Sequence, residues 1–314
     1  MIVPKNNTRK KYIRDLMDRN PATRNQIATI SGLSNPYIKE LERDNINSVG
    51  RDKLLSLSIA LDLRLAEIDE LLTVFDRSKL NVNDIPLFLN VAQMCQFSSA
   101  LHPINDSYTF DLMLLSAEAK QGPHTIVSAS PASCFRHEGH RLYSEKTLVN
   151  AHPIYGELVT TINRERRQLF LMNLNNHIVE NFICEHCLEE YIQNCDEDEE
   201  KSWRIKHIRN IINIINGFDN FNFYLTRKCP GFIFALKSGL AASNNPDKLI
   251  FSGFSPHSKA TKESRSLTGF ATQSKAVILN IKNELDLIRT SINPEYLNRE
   301  KLVDFLEQLI QFKK

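Results

Sequence analysis

Four stretches of this chain carry side chains of types and spacings that could do chemistry. Cys184-Glu-His186-Cys187 is a Cys-x-x-Cys pair that a helix would place on nearly one face, with His177 before it and Cys195 after. Thiols so arranged can hold zinc or run a redox reaction, which makes Cys184, Cys187 and Cys195 the candidate metal ligands. No second pair at zinc-ribbon spacing accompanies them, and buried cysteines on an amphipathic helix give the plainer account. Arg136-His137-Glu-Gly-His140-Arg141 follows the strand-like HTIVSAS, where a strand end meets a loop. Ligands favour such places in α/β domains, although a solvated loop fits the pattern better. His257-Ser-Lys259, with Ser264 beyond it, places an acid–base pair close together. Finally, Asn25 to Asp44 reads NQIATISGLSNPYIKELERD: a small apolar pair, a Gly-centred turn and a second amphipathic run within twenty residues.

The elements that must position these groups follow from periodicity. Arg9–Asn20 has Ile13, Leu16 and Met17 at helical spacing and is stopped by Pro21. Short helices are expected at Arg24–Ser31, Ser34–Arg43, Arg51–Leu61 and Leu65–Val74. Ser34 can cap its helix, Pro36 sits in the first turn where a missing N–H costs nothing, and Gly32 permits the turn. Ile38 and Leu41 fall on one face, aimed at Ile27 and Ala28. The polar segment 76–84, DRSKLNVND, reads as a linker. Beyond it, helices are expected at Ile85–Leu101, Phe110–Lys120, Gly156–Cys195, Trp203–Asn216, Lys275–Ser291 and Asn298–Lys313. Strands are expected at His124–Ser130, Asn222–Thr226, Phe232–Lys237 and Lys248–Phe254. This alternation predicts an all-α domain over residues 1–75 followed, over 85–314, by a mixed α/β (α+β) domain.

Composition bounds the function. With 314 residues, 42% hydrophobic and 24% charged, the chain has material for two domains and a sizeable core. Formal net charge is only +2, so a nucleic-acid surface must be a local patch. Residues 1–75 hold twelve Lys plus Arg against ten Asp plus Glu. No eighteen-residue apolar run predicts a membrane span, and the opening MIVPKNNTRKKY is too polar ahead of its basic residues for a secretory signal. Six cysteines are too sparse for a disulfide framework, which favours a reducing cytoplasm. Ten glycines and no Gly-rich phosphate loop argue against a nucleotide-dependent enzyme, and no cofactor is expected.

From Ile13 to Leu72 the sequence IRDLMDRNPATRNQIATISGLSNPYIKELERDNINSVGRDKLLSLSIALDLRLAEIDELL resembles the helix-turn-helix domain of the Cro/C1-type (XRE) family of bacterial and phage repressors. Five helices, the Leu54, Leu57, Leu61 spacing and the closing LRLAEIDELL carry the resemblance. It implies a five-helix domain whose third helix enters the major groove of double-stranded DNA. Asn35, Pro36, Tyr37, Lys39 and Glu40 would then face bases: Asn35 toward adenine, Lys39 toward guanine or a phosphate, Glu40 toward cytosine. Arg24 and Asn25 would touch the backbone beside the cap residue Thr23, with Ser34 capping the reading helix and Arg43 and Asn45 on flanking phosphates. The basic group Lys5, Arg9, Lys10 and Lys11, placed before the first helix, is a candidate arm along the phosphates.

Two positions depart from the family pattern. Met17 stands where an Arg often pairs with the Glu near the end of the reading helix, so Glu42 is expected to lack that partner. Asp62 replaces a common Gly, which the left-handed tolerance of Asp accommodates.

The expected function is a DNA-binding transcription regulator, in the sense of a repressor, acting as a homodimer on two half-sites. Its second domain would dimerise and sense a small-molecule or protein effector. The alternatives are an antitoxin or phage-type repressor whose second domain binds another protein, and a DNA-targeted phosphodiesterase-like enzyme. The last draws on a weak similarity of His257, Lys259 and the strands around them to degenerate phospholipase-D-like sensor domains. There Ser264 takes the place of the Asp that would orient the His, so no enzyme is expected.

Overall fold

The computed structural model describes residues 5–104, 107–136, 152–195, 198–230, 232–240, 246–252 and 269–311. The chain opens with five helices: α1 (Lys5–Arg19), α2 (Arg24–Ser31), α3 (Asn35–Arg43), α4 (Arg51–Ala60) and α5 (Leu65–Val74). Local chemistry sets their ends. Thr23 accepts from the Gln26 N–H while Gln26 reaches back to the Thr23 N–H, a reciprocal cap for α2. Ser34 caps α3 by accepting from the Tyr37 N–H, with Pro36 in the first turn. Gly32, at φ +68°, ends α2 in the left-handed conformation that a residue without Cβ adopts at little cost. Asp44, Asp62 and Asp76 also adopt positive φ and close three further turns.

Next come α6 (Ile85–Met94), β1 (His102–Ile104), α7 (Ser107–Glu118) and β2 (His124–Ser128). They are followed by α8 (Tyr155–Leu174), β3 (Val179–Cys184), α9 (Glu185–Gln193), α10 (Asp198–Gly217) and β4 (Phe221–Thr226). The chain closes with β5 (Ile233–Lys237), β6 (Lys248–Ser252), β7 (Gly269–Thr272), α11 (Lys275–Thr290) and α12 (Arg299–Gln311). The strands form one sheet in the order β1-β7-β6-β5-β2-β3-β4. Strands β2, β3 and β4 are parallel, linked by α8 and by the α9–α10 pair, whereas β5, β6 and β7 run as an antiparallel meander. Mixed helix and sheet is thus what the second part of the chain contains, as its alternating patterns predict.

One sheet face carries Ile126, Ala235, Ile250 and Ala271; the other carries Val127, Phe182, Phe234 and Leu249 under Ile278, Ile281 and Leu285 of α11. A continuous apolar cluster runs from Ile13 and Ile38 through Leu54, Phe88 and Leu115 to Ile162 and Ala271. The five-helix part and the sheet part therefore share a core.

Several expectations change. The segment 76–84, read as a linker, is pinned: Arg51 grips Asp84 with two bonds of 2.6 Å, Arg77 donates to the Val49 carbonyl at 2.8 Å, and Leu80 is buried. The helix expected over Gly156–Cys195 is broken by β3, whose buried Asn181 bonds to the Ile126 carbonyl and to Ser128. The basic group expected before the first helix lies within α1, because the helix starts at Lys5. Arg9 there pairs with Asp76, donates to the Val74 carbonyl and lies over the Phe75 ring, fastening α1 to the end of α5. Among the described residues no helix is long and apolar enough to cross a membrane.

Candidate functional site

Helix α3 is strongly two-faced. Ile38 is 0% and Leu41 2% exposed against α1 and α2, while Pro36, Lys39, Arg43 and, just past the helix, Asn45 are exposed. The amino end of α2 joins the same surface. Asn35 donates from its amide to the Asn25 side-chain carbonyl, and Arg24 grips Glu42 with bonds of 2.8 and 2.9 Å. Arg14, Arg24, Lys39 and Arg43, with Asp18 and Glu42, line one open depression. Four cations against two carboxylates make this a locally basic patch on a nearly neutral molecule.

The partners of each side chain refine the expected roles. Glu42 is not left alone opposite Met17, because Arg24 from α2 supplies the bidentate partner. Arg24 is thereby half committed, and a phosphate contact from it would compete with Glu42. Glu40 accepts from Asn45 at 2.6 Å and from Arg43 at 2.9 Å. Those bonds, Asn45 first, hold its carboxyl below the usual range, so the residue organises Arg43 and Asn45 more readily than it meets a base. Tyr37 is half-buried with the Lys53 ammonium 4.5 Å from its ring centre, and burial followed by the Asp52 charge pushes its hydroxyl pKa up. Among the described residues, Lys39 and Arg14 have no ion-pair partner.

A second feature lies between the sheet and helices α7 and α8. It is a cavity of about 270 Å³ whose polar lining includes Asp111, Glu118, His124, Ser128, Arg136 and Arg166. Arg166 is its centre. The guanidinium makes two bonds to Glu118 at 2.8 and 2.9 Å, one to Asp111 at 2.9 Å and one to Ser133 at 2.5 Å. Burial with Arg166 and Lys237 nearby holds His124 well below its ordinary range, so its ring is neutral. Burial likewise lowers Lys237, the cross-strand neighbour of His124, to about 8. Most of the rest of the lining is apolar, with Phe110, Leu114, Ile126, Val127 and Phe234, and so suits a small, largely apolar ligand bearing a few polar groups. Neither the Arg166 cluster nor this cavity is visible in sequence spacing, since its members come from two helices, the segment that follows β2, and two strands.

The cysteine group is rearranged relative to the sequence expectation. Cys184 and Cys187 do come together, but their third neighbour is Cys229, and the three sulfurs lie within 4.8 Å of one another. Cys195 is half-buried and outside that group. Of Arg136–Arg141, Arg136 lines the cavity, while 137–141 lie outside the described residues, as do His257, Lys259 and Ser264. Comparison with protein-family models, with curated proteins and with solved structures finds no match to this chain.

Proposed function

We propose that the chain is a sequence-specific DNA-binding transcription regulator, working as a repressor in a cytoplasmic homodimer, with α2 and α3 as its helix-turn-helix. The observation that carries this reading is the outer face of α3. Its inner residues are fully buried, yet Lys39 projects unpaired into a basic depression shared with Arg14, Arg24 and Arg43. A buried apolar stripe under a polar face is ordinary for a surface helix, so the support lies in the unpaired Lys39 and the basic patch around it. In this reading Lys39 meets guanine or a phosphate, and Asn35 exchanges its bond to Asn25 for one to adenine. Arg24, Asn25, Arg43 and Asn45 contact the flanking backbone. Two unpaired cations, Lys39 and Arg14, beside the paired Arg24 and Arg43, give modest attraction per monomer, hence a dimer on paired half-sites.

The cavity around Arg166 is then the effector site. Helix α7 lines it with Asp111 and Glu118 and carries Tyr108, whose hydroxyl donates to the Leu63 carbonyl in the turn between α4 and α5. Helix α7 also packs on α6, α6 on α4, α4 on α2, and α2 on the reading helix α3. A ligand that repositioned α7 would change the presentation of α3, and about 1–3 kcal/mol of coupling would suffice. The test is a gel shift of the full chain on DNA from its own upstream region across a salt series. Binding that weakens steeply with salt and survives non-specific competitor supports the proposal; binding to any duplex with equal strength, or to none, refutes it.

A further inference from the structure

Strands β3 and β4 run parallel in a register that sets Cys184 opposite Thr226. The chain beyond Cys184 turns at once into α9, which places Cys187 over Cys184. The chain beyond Thr226 turns back within three residues and delivers Cys229 to the same spot. The Cys187 and Cys229 sulfurs are 3.4 Å apart, and with Cys184 all three fall within 4.8 Å. Three thiolates at metal–sulfur bonds of about 2.3 Å stand about 3.8 Å apart on a tetrahedron and about 4.0 Å apart in a trigonal plane. The Cys187–Cys229 spacing of 3.4 Å lies a little below both values, and both fall inside the 4.8 Å limit that holds for all three sulfurs.

We propose that Cys184, Cys187 and Cys229 form a binding site for one thiophilic metal ion of the zinc or copper(I) kind. Three soft sulfur donors select such ions over hard cations. The surroundings suit the task. Cys184 is the N-cap of α9 and its side chain caps no backbone N–H, which leaves its sulfur available to the cluster. The loop bearing Cys229 is held in place from outside: the Arg227 N–H donates to the Ser291 carbonyl at 2.9 Å, and the Arg227 guanidinium donates to the Asn293 side-chain carbonyl at 3.3 Å. Two of the cysteines are buried and Cys229 is half-exposed, which leaves an entry path. As each sulfur–metal bond forms, the thiol concerned releases its proton to solvent, with no change of oxidation state. The site lies on the sheet end of the molecule and stands independently of the DNA-binding proposal.

The experiment uses the full chain, reduced and stripped with chelator, and titrates it separately with Zn(II), Cu(I) and, as a spectroscopic probe, Cd(II). Native mass spectrometry should count one ion per chain, and Cd(II) should raise thiolate-to-metal charge-transfer absorption in proportion to three sulfurs. C184S, C187S and C229S should each weaken binding at least tenfold, whereas C195S and C134S leave it unchanged. Because C184S and C187S replace buried groups, a second readout uses the unaltered chain: metal should protect half-exposed Cys229 from alkylation. Absence of stoichiometric binding, equal binding by C229S, or unprotected Cys229 in the presence of metal overturns the proposal. So does purification under air with Cys187 and Cys229 joined as a disulfide that reduction does not convert into a metal site.

Discussion

Exchanging Arg166 for methionine should be among the most damaging single changes in the sheet part of this chain. The guanidinium and the Glu118 carboxylate are each 2% exposed, and two parallel hydrogen bonds of 2.8 and 2.9 Å join them. Breaking a buried pair by removing one member costs about 3–5 kcal/mol, because the survivor stays desolvated without its counter-charge. The structure makes the two ends unequal. Arg166 has a second carboxylate partner in Asp111 and a hydroxyl in Ser133, so Glu118→Gln leaves the cation compensated. Arg166→Met leaves Glu118 with no guanidinium. Glu118→Gln should therefore cost about 1–3 kcal/mol, the range for a charged hydrogen bond weakened but not orphaned. The double change Arg166→Met with Glu118→Leu removes both charges and should be milder than Arg166→Met alone. Urea unfolding followed by circular dichroism and by fluorescence of Trp203 measures this, provided the two probes coincide and the slopes match. Equal losses for the two single changes, or a double change worse than their sum, would refute the argument that pairing offsets desolvation here.

Two further outcomes follow from single residues. His102 is buried on edge strand β1 and burial lowers its pKa from 6.5 to about 4. Its unfolded form takes up a proton first as pH falls, so its contribution to stability is complete above pH 6.5 and is lost on descending toward pH 4. The loss amounts to about 3 kcal/mol. His102→Phe should flatten the urea midpoint over that window, and a pH dependence identical to the unaltered chain would contradict the assignment. Gly32→Ala meets no atom within 4 Å but must hold φ at +68°. It should lower stability by about 1 kcal/mol while leaving the circular dichroism spectrum unchanged; a neutral result would mean the α2–α3 turn relaxes.

How much of this was legible in the sequence depends on how local the determining forces are. The ends of α2 and α3 rest on Thr23, Gln26, Gly32, Ser34 and Pro36, all within a few residues of the groups they satisfy, and these positions behave as their chemistry predicts. Strand β3 was not legible. Glu180 and Asn181 interrupt its apolar run, and only pairing with β2 and β4, brought in from distant segments, decides against helix. Strands β1 and β7, three and four residues long, give no periodic signal at all. For the same reason Cys195, near in sequence, was the expected third sulfur, and Cys229, 42 residues beyond Cys187, was not. Arg24 as the partner of Glu42 and Arg166 as the centre of a buried cluster likewise depend on how helices cross. The left-handed Asp44 did carry a local signal, since Asp after a helix is a known substitute for Gly in that conformation.

The central claim is that the bare face of α3 reads DNA, and Lys39 with Asn35 bears most of that claim. Binding of the unaltered chain, of Asn35→Ala with Lys39→Ala, and of the remote control Lys301→Ala to the selected upstream fragment should be measured across a salt series. The double change should weaken specific binding by about 2–4 kcal/mol and lower the salt slope by about 1, with the control unaffected. Unchanged affinity and slope in the double variant, beside a folded protein, would contradict it.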